Sequence, residues 1–363
     1  MVSTKAIKKK LKSKPKAKDR PRVEEGLSSG TTLLNLACTG NYKAAFLKGC
    51  YYLIVGDSSS GKTLLVLSTL AEAAADPNYA NYDLIYDPIE GGALFDMQAF
   101  FGKKLAKRLR KPLHDTSATV EELYYNIDDS LQNWRKTKRP FIYIVDSMDS
   151  LIAKEDEEHF KKVKEAKRSG KEVKGTYGVS KAKTNSKMLA RLMAPLKESG
   201  SILLIICQTR DSFGMFEEQT RAGGKALKFY ATIEIWLKRG KAILKAYKGM
   251  KVPIGVNSLM KVKKNRVQGK NRTVSVPIYE QFKGGGGGID DVGGLVDYLI
   301  KWKHFDKRGK KITAEEFDFE GTKEELISQI ELNEEYTKLA RIAGRVWKSI
   351  EDALAVPRLR RYT

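Results

Sequence analysis

One stretch of the chain has residue types and spacing that suit a bound triphosphate. Its glycines let the backbone bend so that successive amide groups point inward at an anion. Its last two residues, Lys62 and Thr63, have the chemistry to contact the β- and γ-phosphates and a Mg²⁺ ion, respectively. The stretch reads Gly56-Asp57-Ser58-Ser59-Ser60-Gly61-Lys62-Thr63. We therefore predict that these residues bind a nucleoside triphosphate.

The segments on either side of this loop are those that a phosphate site requires. An apolar run at 51–55 precedes the loop and is typical of a buried strand. Residues 64–75 follow it and are rich in helix formers. Strand, glycine loop and helix in this order bring the partial positive charge of a helix N-terminus to the anion. An ordinary Gly/Ser turn before a helix is the alternative, and flanks of this kind argue against it.

A second apolar run supplies an acidic side chain for the metal. Residues 141–145 form this run, and Asp146 follows it directly. This is the form of a Walker B strand, and we predict that Asp146 and Thr63 hold Mg²⁺. An apolar run that ends in Asp is common by itself, so its combination with the phosphate loop carries the prediction.

Two further strand ends offer polar groups to the γ-phosphate. Glu90 follows the strand predicted at 82–87 and is a candidate to accept a proton from the attacking water, with Asp87 as its rival. Gln208 follows the strand predicted at 202–207, where its amide is suited to contact the γ-phosphate and report its presence to the next segment. Because ligands of open α/β sheets bind at the carboxyl ends of the strands, we expect these side chains near the loop.

The segment after this third strand end combines cations with aromatic rings. Residues 209–222 contain Arg210, Phe213, Phe216 and Arg221. Such a mixture suits single-stranded nucleic acid, because cations contact the phosphate backbone and aromatic rings stack on bases. A plain surface loop is the alternative.

Composition favours a polyanionic partner. The formal net charge is +23, from 67 Lys+Arg against 44 Asp+Glu, which nucleic acid would explain most simply. An anionic membrane surface is the alternative, but no apolar run approaches the roughly 20 residues of a membrane helix. The Lys-rich first residues precede no apolar segment, so we expect no secretory signal. Three scattered cysteines, Cys38, Cys50 and Cys207, indicate reduced thiols in a cytoplasmic protein.

Strands that alternate with helices predict an α/β fold. Helices are expected near 63–75, 92–110, 119–136 and 185–198. The central sheet should therefore be mostly parallel and flanked by helices on both faces. Later strands follow one another and indicate an antiparallel extension of that sheet; they are expected at 231–237, 242–246, 258–263 and 273–279. Five consecutive glycines at 284–288 are interpreted as a flexible tether to the next helix.

The chain divides into a tail, a core and a small C-terminal domain. Residues 1–25 are predicted to be a disordered basic tail, either a solvated arm or a nucleic-acid contact. The core spans 26–300, and a helical or mixed domain follows at 301–363. Within the core, residues 153–187 are polar and Lys-rich, and we interpret them as a long functional or disordered loop.

Together these motifs resemble those of the RecA recombinase family, bacterial RecA and its phage-encoded relatives. The most specific stretch is similar to the family's G-G-x-A-L-K-F-Y-A segment and reads Gly223-Gly224-Lys225-Ala226-Leu227-Lys228-Phe229-Tyr230-Ala231. That segment closes the family's second DNA-binding loop, which implies DNA contacts for Gly223, Gly224 and Lys225. Another stretch, Lys261-Val262-Lys263-Lys264-Asn265-Arg266, is similar to the family's V-K-N-K strand. This similarity implies that Lys264 and Arg266 reach across a subunit boundary to a neighbour's ATP.

The resemblance implies a RecA-like core that binds ATP and Mg²⁺ and assembles into a helical filament or ring. Residues 153–187 would be its first DNA loop and 209–222 its second. The implied activity is that of a DNA-dependent ATPase, a P-loop hydrolase, which binds single-stranded DNA and pairs it with duplex DNA in recombination and repair. It would act in the cytoplasm, the host's if the chain is phage-encoded. Phe100 and Phe101 are the candidates for stacking on adenine.

Two other functions stay open at this point. The first is a RecA-fold ATPase that loads or regulates another replication protein without strand exchange. The second is a nucleic-acid-binding protein that uses ATP as a structural switch.

Overall fold

A central sheet organises the structure, a computed structural model that describes residues 22–91, 94–168, 179–210, 220–221 and 224–358. Within these ranges ten strands form the sheet, in the spatial order β10-β9-β8-β7-β1-β5-β4-β2-β3, with β6 paired to β5. They are β1 (Tyr51–Gly56), β2 (Asp83–Asp87), β3 (Leu109–Arg110), β4 (Phe141–Val145), β5 (Ile202–Arg210), β6 (Thr220–Arg221), β7 (Ile233–Tyr247), β8 (Met250–Asn265), β9 (Thr273–Tyr279) and β10 (Gly288–Ile289).

Strand directions confirm the predicted architecture, a mostly parallel sheet with an antiparallel extension. Neighbouring strands from β7 through β1, β5, β4 and β2 to β3 run parallel. The pairs β7–β8, β8–β9 and β9–β10 are antiparallel. The carboxyl ends of β1, β2, β4 and β5 therefore lie at one edge of the sheet.

Two apolar cores, one on each face of the sheet, explain why its central strands are apolar throughout. Tyr52 and Ile54 of β1 lie in one buried cluster, whereas Tyr51, Leu53 and Val55 lie in the other. Strands buried on both faces need apolar residues at every position. The helices are α1 (Thr32–Thr39), α2 (Lys62–Ala75), α3 (Met97–Arg108), α4 (Val120–Thr137), α5 (Lys154–Arg168), α6 (Val179–Ser199), α7 (Lys225–Tyr230), α8 (Asp291–Lys301), α9 (Lys323–Leu332) and α10 (Tyr336–Ala353). Helices α2 and α8 contribute to the first cluster, and α4 and α6 to the second.

The region interpreted as a long loop at 153–187 is mostly helical. It contains α5 and the first part of α6, and residues 169–178 lie outside the described ranges. The reason is local, since α5 is rich in Glu and Lys, which are good helix formers. Glu157 and Lys161 also form an i,i+4 ion pair at 3.0 Å. Such a polar helix has no apolar stripe, and for that reason the periodicity did not reveal it.

The segments predicted as two strands at 231–237 and 242–246 form the single strand β7. It pairs along its length with β8 and turns back at Lys248 and Gly249. Register shifts interrupt the pairing between Arg239 and Ala242, where the alternation of the sequence also breaks. The interpretation of two separate strands was wrong because a β-bulge looks like a strand end in the sequence.

The glycine run at 284–288 is a packed turn, so its interpretation as a flexible tether was wrong. The Phe282 amide donates to the Gly286 carbonyl at 2.7 Å, and the Gly285 amide donates to the Phe282 carbonyl at 3.1 Å. A Cβ on Gly286 would lie 2.5 Å from the Ala99 carbonyl oxygen, so only glycine fits against α3 there. The glycines therefore allow a close approach between two segments of backbone.

The residues beyond α8 add a second, three-stranded sheet and two helices. Its strands are β11 (Asp306–Arg308), β12 (Lys311–Ala314) and β13 (Phe319–Gly321), all antiparallel. Residues such as Phe305, Ile312 and Leu339 continue the first apolar core. The separate C-terminal domain at 301–363 stays a prediction. At the other end, Val23–Glu25 form a 3₁₀ turn inside the predicted tail, whose residues 1–21 are outside the described ranges.

An ion-pair network attaches α10 to the loop between β8 and β9. Glu351 accepts from Arg272 Nη2 at 2.7 Å and from Lys270 Nζ at 2.6 Å. Mainly because of the Arg272 hydrogen bonds, and secondarily Lys270, the pKa of Glu351 is lowered to about 2. The contribution of this carboxylate to stability is therefore complete above its ordinary pKa of about 4.3 and is lost as pH falls toward 2.

Replacing Glu351 by glutamine should lower the free energy of unfolding at pH 7 by about 1–2 kcal/mol, after allowance for solvent screening. The difference from the unchanged protein should shrink as pH falls from about 4.5 toward 2, because the carboxylate is protonated first in the unfolded chain and, near its lowered pKa of about 2, in the folded protein as well. Denaturant melts at several pH values measure it, with the exposed neighbour Asp352→Asn as the matched control. A loss that did not depend on pH would contradict the ion-pair assignment.

Candidate nucleotide-binding and catalytic site

The predicted phosphate loop connects the end of β1 to the start of α2. Gly61 has φ 95°, a left-handed conformation that favours glycine. A Cβ on Gly56 would lie 2.4 Å from the Leu237 carbonyl oxygen, so this glycine is required for contact with β7. The last loop residue, Lys62, already belongs to the helix, so the helix N-terminus faces the space above β1.

The Lys62 ammonium is folded back onto the loop. Its Nζ donates to the Asp57 carbonyl at 2.6 Å, and Ser60 Oγ donates to the same oxygen at 2.7 Å. Burial lowers the pKa of Lys62, and the carboxylates of Asp146 and Glu90 oppose that change. A phosphate in the loop would supply the anionic partner that the buried ammonium lacks in these contacts.

Asp146 lies beside the phosphate loop, and one of its carboxylate oxygens accepts two hydrogen bonds. Thr63 Oγ1 donates to Oδ2 at 2.8 Å, and the Tyr86 hydroxyl donates to the same oxygen at 2.9 Å. Burial raises the pKa of Asp146, and these two hydrogen bonds oppose the increase. A carboxylate and a hydroxyl are the oxygen ligands that Mg²⁺ accepts, so the pair of Thr63 and Asp146 fits this ion.

Glu90 and Gln208 meet at the same edge of the sheet. Gln208 Nε2 donates to Glu90 Oε1 at 2.8 Å, and Ser150 Oγ approaches that oxygen at 3.3 Å. Ser147, the residue after Asp146, also donates to it. The structure thus brings the ends of β2, β4 and β5 to one carboxylate.

Asp87, the rival of Glu90, is committed elsewhere. Its carboxylate is buried and accepts from the Ser117 amide at 3.1 Å, the Ser117 hydroxyl at 2.6 Å and the Tyr143 hydroxyl at 2.9 Å. Burial raises its pKa, while these donors oppose the increase. Its contacts are those of a structural carboxylate that ties β2 to β4.

Two polar residues of this region were not singled out from the sequence. Asp149 Oδ2 accepts from the backbone N–H of Gln208 at 2.6 Å, and Thr209 donates from its hydroxyl to the Asp57 carboxylate. Their positions, three residues after Asp146 and one after Gln208, were the available signals. Both link strand ends that are distant in the chain, which spacing alone does not reveal.

Lys264 and Arg266 lie away from the phosphate loop of their own chain. In the sheet, Lys264 is paired with Glu234 of β7, and Glu234 is paired with Leu53 of β1. Leu53 lies three residues before Gly56, which is about 10 Å along the strand, so Lys264 is at least that far below the start of the loop. Both cations donate to the Phe229 carbonyl, at 2.9 Å and 2.8 Å. They cap the C-terminus of α7, the favourable place for positive charge.

The predicted DNA-contacting residues are described only in part. Arg210 and Arg221 lie in paired backbone, because Thr209 pairs with Arg221 and Arg210 with Thr220. Gly224 precedes α7 with φ 83°, and Lys225 begins that helix with an exposed side chain. Phe213, Phe216 and Gly223 are outside the described ranges.

The two candidates for stacking on adenine are neighbours on α3. The ring centroids of Phe100 and Phe101 lie 6.0 Å apart, and the glycine turn at 284–288 packs beside Phe100.

In the described part of the chain, none of the helices has the length and apolar character to cross a membrane.

Comparisons with known proteins find similar chains over most of this sequence. A model of the RecA N-terminal domain matches residues 142–284. The chain is 25% identical to Protein RecA of Trichodesmium erythraeum over 341 residues, which cover 91% of this chain and 81% of that protein. It is 26% identical to Protein RecA of Chlorobaculum parvum over 287 residues, 78% of this chain and 72% of that protein. For Protein RecA of Rickettsia bellii the identity is 27% over 306 residues, 80% and 75% of the two chains. A domain match and alignments over most of the chain, on a fold of the expected topology, support the resemblance of this chain to the RecA recombinase family.

Proposed function

We propose that this chain is an ATP-dependent, single-stranded-DNA-binding recombinase that forms filaments and promotes homologous pairing and strand exchange. Its relatives named Protein RecA support a role in recombination and DNA repair. One observation carries the finer proposal. The side chains of Lys62, Asp146, Glu90 and Gln208 converge where four parallel strands end. A site that only bound a nucleotide would not need Glu90 and Gln208 in direct contact.

In this proposal each residue has a separate task during ATP hydrolysis. Lys62 leaves the Asp57 carbonyl and binds the β- and γ-phosphates. Glu90 accepts a proton from the attacking water at Oε1 or Oε2, and Gln208 and Ser147 orient that carboxylate. Gln208 also touches the γ-phosphate, so its position differs before and after hydrolysis.

The metal-binding role falls to Thr63 and Asp146. Bound Mg²⁺ would neutralise charge that develops on the phosphate oxygens. Asp146 must be ionised to hold the ion, so affinity for Mg²⁺ should fall as pH drops through its raised pKa.

A neighbouring subunit would complete the site. Lys264 and Arg266 lie about 10 Å or more, measured along the strands, from the phosphate loop of their own chain. They therefore suit a role across a subunit boundary rather than within one chain. A cation supplied by a neighbouring subunit raises the turnover rate by a factor of about 10³–10⁵ where it contacts the transferring phosphate. Filament or ring assembly would then be a condition for fast hydrolysis.

ATPase activity measured with and without single-stranded DNA, together with electron micrographs of the same samples, tests the proposal. If the chain is a recombinase, single-stranded DNA should stimulate its ATPase activity, and filaments should be visible in the same mixtures. Stimulation without filaments or rings would favour a loader of another replication protein. Absence of stimulation would favour an ATP-switched binding protein and would overturn the proposal.

Affinity for single-stranded DNA should fall steeply with salt. The net charge of +23 supports binding along the phosphate backbone. A protein with about 6–10 phosphate contacts loses about 10³–10⁵ in affinity between about 50 and 200 mM salt. Fluorescence anisotropy with a labelled oligonucleotide of mixed sequence measures this slope. A flat response would contradict backbone-tracking binding.

A further inference from the structure

Lys181 makes an unusual set of contacts for a lysine at its position. It lies in the first turn of α6, where the helix dipole disfavours a cation. Its Nζ nevertheless donates to the carbonyls of Met148, Asp149 and Leu151 at 2.6, 3.1 and 2.6 Å. Three carbonyl acceptors for one ammonium outweigh the unfavourable dipole, because hydrogen bonds from a charged donor are the strong ones.

The turn that Lys181 holds carries the partners of the catalytic side chains. This turn, residues 148–151, follows the Asp146 strand. Within it, Asp149 accepts from the backbone N–H of Gln208 at 2.6 Å, and Ser150 Oγ approaches Glu90 Oε1 at 3.3 Å. Lys181 is therefore linked to Gln208 through Asp149, and to Glu90 through the turn that carries Ser150.

The same first turn of α6 is contacted from both predicted DNA loops. Ser180 donates to Asp156 in the first turn of α5, so the two helical segments within the predicted first loop meet here. Gly224, which follows the second loop, packs on Ala182, since a Cβ on this glycine would lie 2.9 Å from Ala182 Cβ. A displacement of either loop thus acts on residues directly adjacent to Lys181.

We propose that Lys181 is a positioning residue that transmits DNA binding to the ATPase site through the 148–151 turn. The inference rests on the proposed function, in which 153–187 and 209–222 bind DNA. Movement of the first turn of α6 shifts the three carbonyls that Lys181 holds. That shift changes the placement of Asp149 and Ser150, and through them the orientation of Gln208 and Glu90.

The test compares Lys181→Met with Lys183→Met in the full chain. Both variants remove one cation from the start of α6, but the Lys183 side chain is exposed. A decrease in DNA-stimulated turnover that came only from the lost charge would therefore be equal in the two variants. At saturating single-stranded DNA, Lys181→Met should lose about 10-fold in kcat for ATP, with KM for ATP unchanged. Turnover without DNA is measured for each variant on the same preparation, so that the loss is expressed as stimulation by DNA. Lys181→Arg, which keeps charge and donors, should recover most of the stimulation.

Each result of this comparison has a definite meaning. Full stimulation of Lys181→Met, or equal losses in the two variants, overturns the inference and leaves the proposed function intact. No stimulation of the unchanged protein overturns the proposed function, and the inference with it. If Lys181→Met does not fold, Lys181→Gln retains two N–H donors and takes its place, with an expected loss of about 3-fold. Full stimulation of Lys181→Gln by DNA would also overturn the inference.

Discussion

Replacement of Lys62 by alanine should abolish ATP turnover and leave the fold intact. In the structure this buried ammonium donates to a carbonyl of its own loop, that of Asp57, at 2.6 Å. Its removal therefore costs the fold little, and we expect the free energy of unfolding to change by about 1 kcal/mol or less. The bound triphosphate, by contrast, loses the cation at its β- and γ-phosphates. Loss of a preorganised electrostatic contact of this kind lowers turnover by at least about 10²–10³-fold.

Phosphate release in the presence of Mg²⁺ and single-stranded DNA measures this effect, and a denaturant melt verifies the fold. The matched control is Lys136→Ala, which removes an exposed lysine from the end of α4, remote from the loop. This control should retain full turnover. Unchanged turnover in Lys62→Ala would refute the assignment of the phosphate loop.

The second large effect is expected for Glu90→Gln. Glutamine has the shape of glutamate but cannot accept the proton of the attacking water, so turnover should fall by about 10²–10⁴-fold. ATP binding should remain, because the phosphate loop and the pair of Thr63 and Asp146 are untouched. Turnover and the affinity for a fluorescent ATP analogue, measured on one preparation, separate these two quantities.

Asp87→Asn provides the contrast that tests the choice between the two acids. The buried Asp87 carboxylate accepts three hydrogen bonds from Ser117 and Tyr143, and an amide NH₂ there would face a donor. We expect its replacement to lower the free energy of unfolding by about 1–3 kcal/mol and to keep turnover per folded molecule. If Asp87→Asn abolished turnover in folded protein and Glu90→Gln did not, the proposed roles would have to be exchanged.

Local features of the sequence were sufficient to place the loop at 56–61 between a strand and a helix, and to predict the central strands. A glycine loop between an apolar strand and a helix requires only neighbouring residues, and the predicted strand at 51–55 and helix at 63–75 agree with β1 and α2 within one residue at each end. Helix α5 was not predicted, because its stability comes from propensity and from ion pairs such as Glu157–Lys161 rather than from an apolar stripe. The packed turn at 284–288 was also not predicted, because its glycines are required by α3, which is remote in sequence.

The sequence by itself determined which strands end in polar side chains and which loop can bind phosphate, since these properties depend on residue type and short spacing. Only the tertiary structure decided what those side chains do. Asp87 is held by Ser117 and Tyr143, 30 and 56 residues away in the chain, whereas Glu90 is turned toward Gln208, 118 residues away. The contact of Lys181 with the 148–151 turn is of the same kind. Hydrogen bonds act over about 3 Å in space regardless of sequence distance, so packing of the parallel strands selects the partner of each polar group.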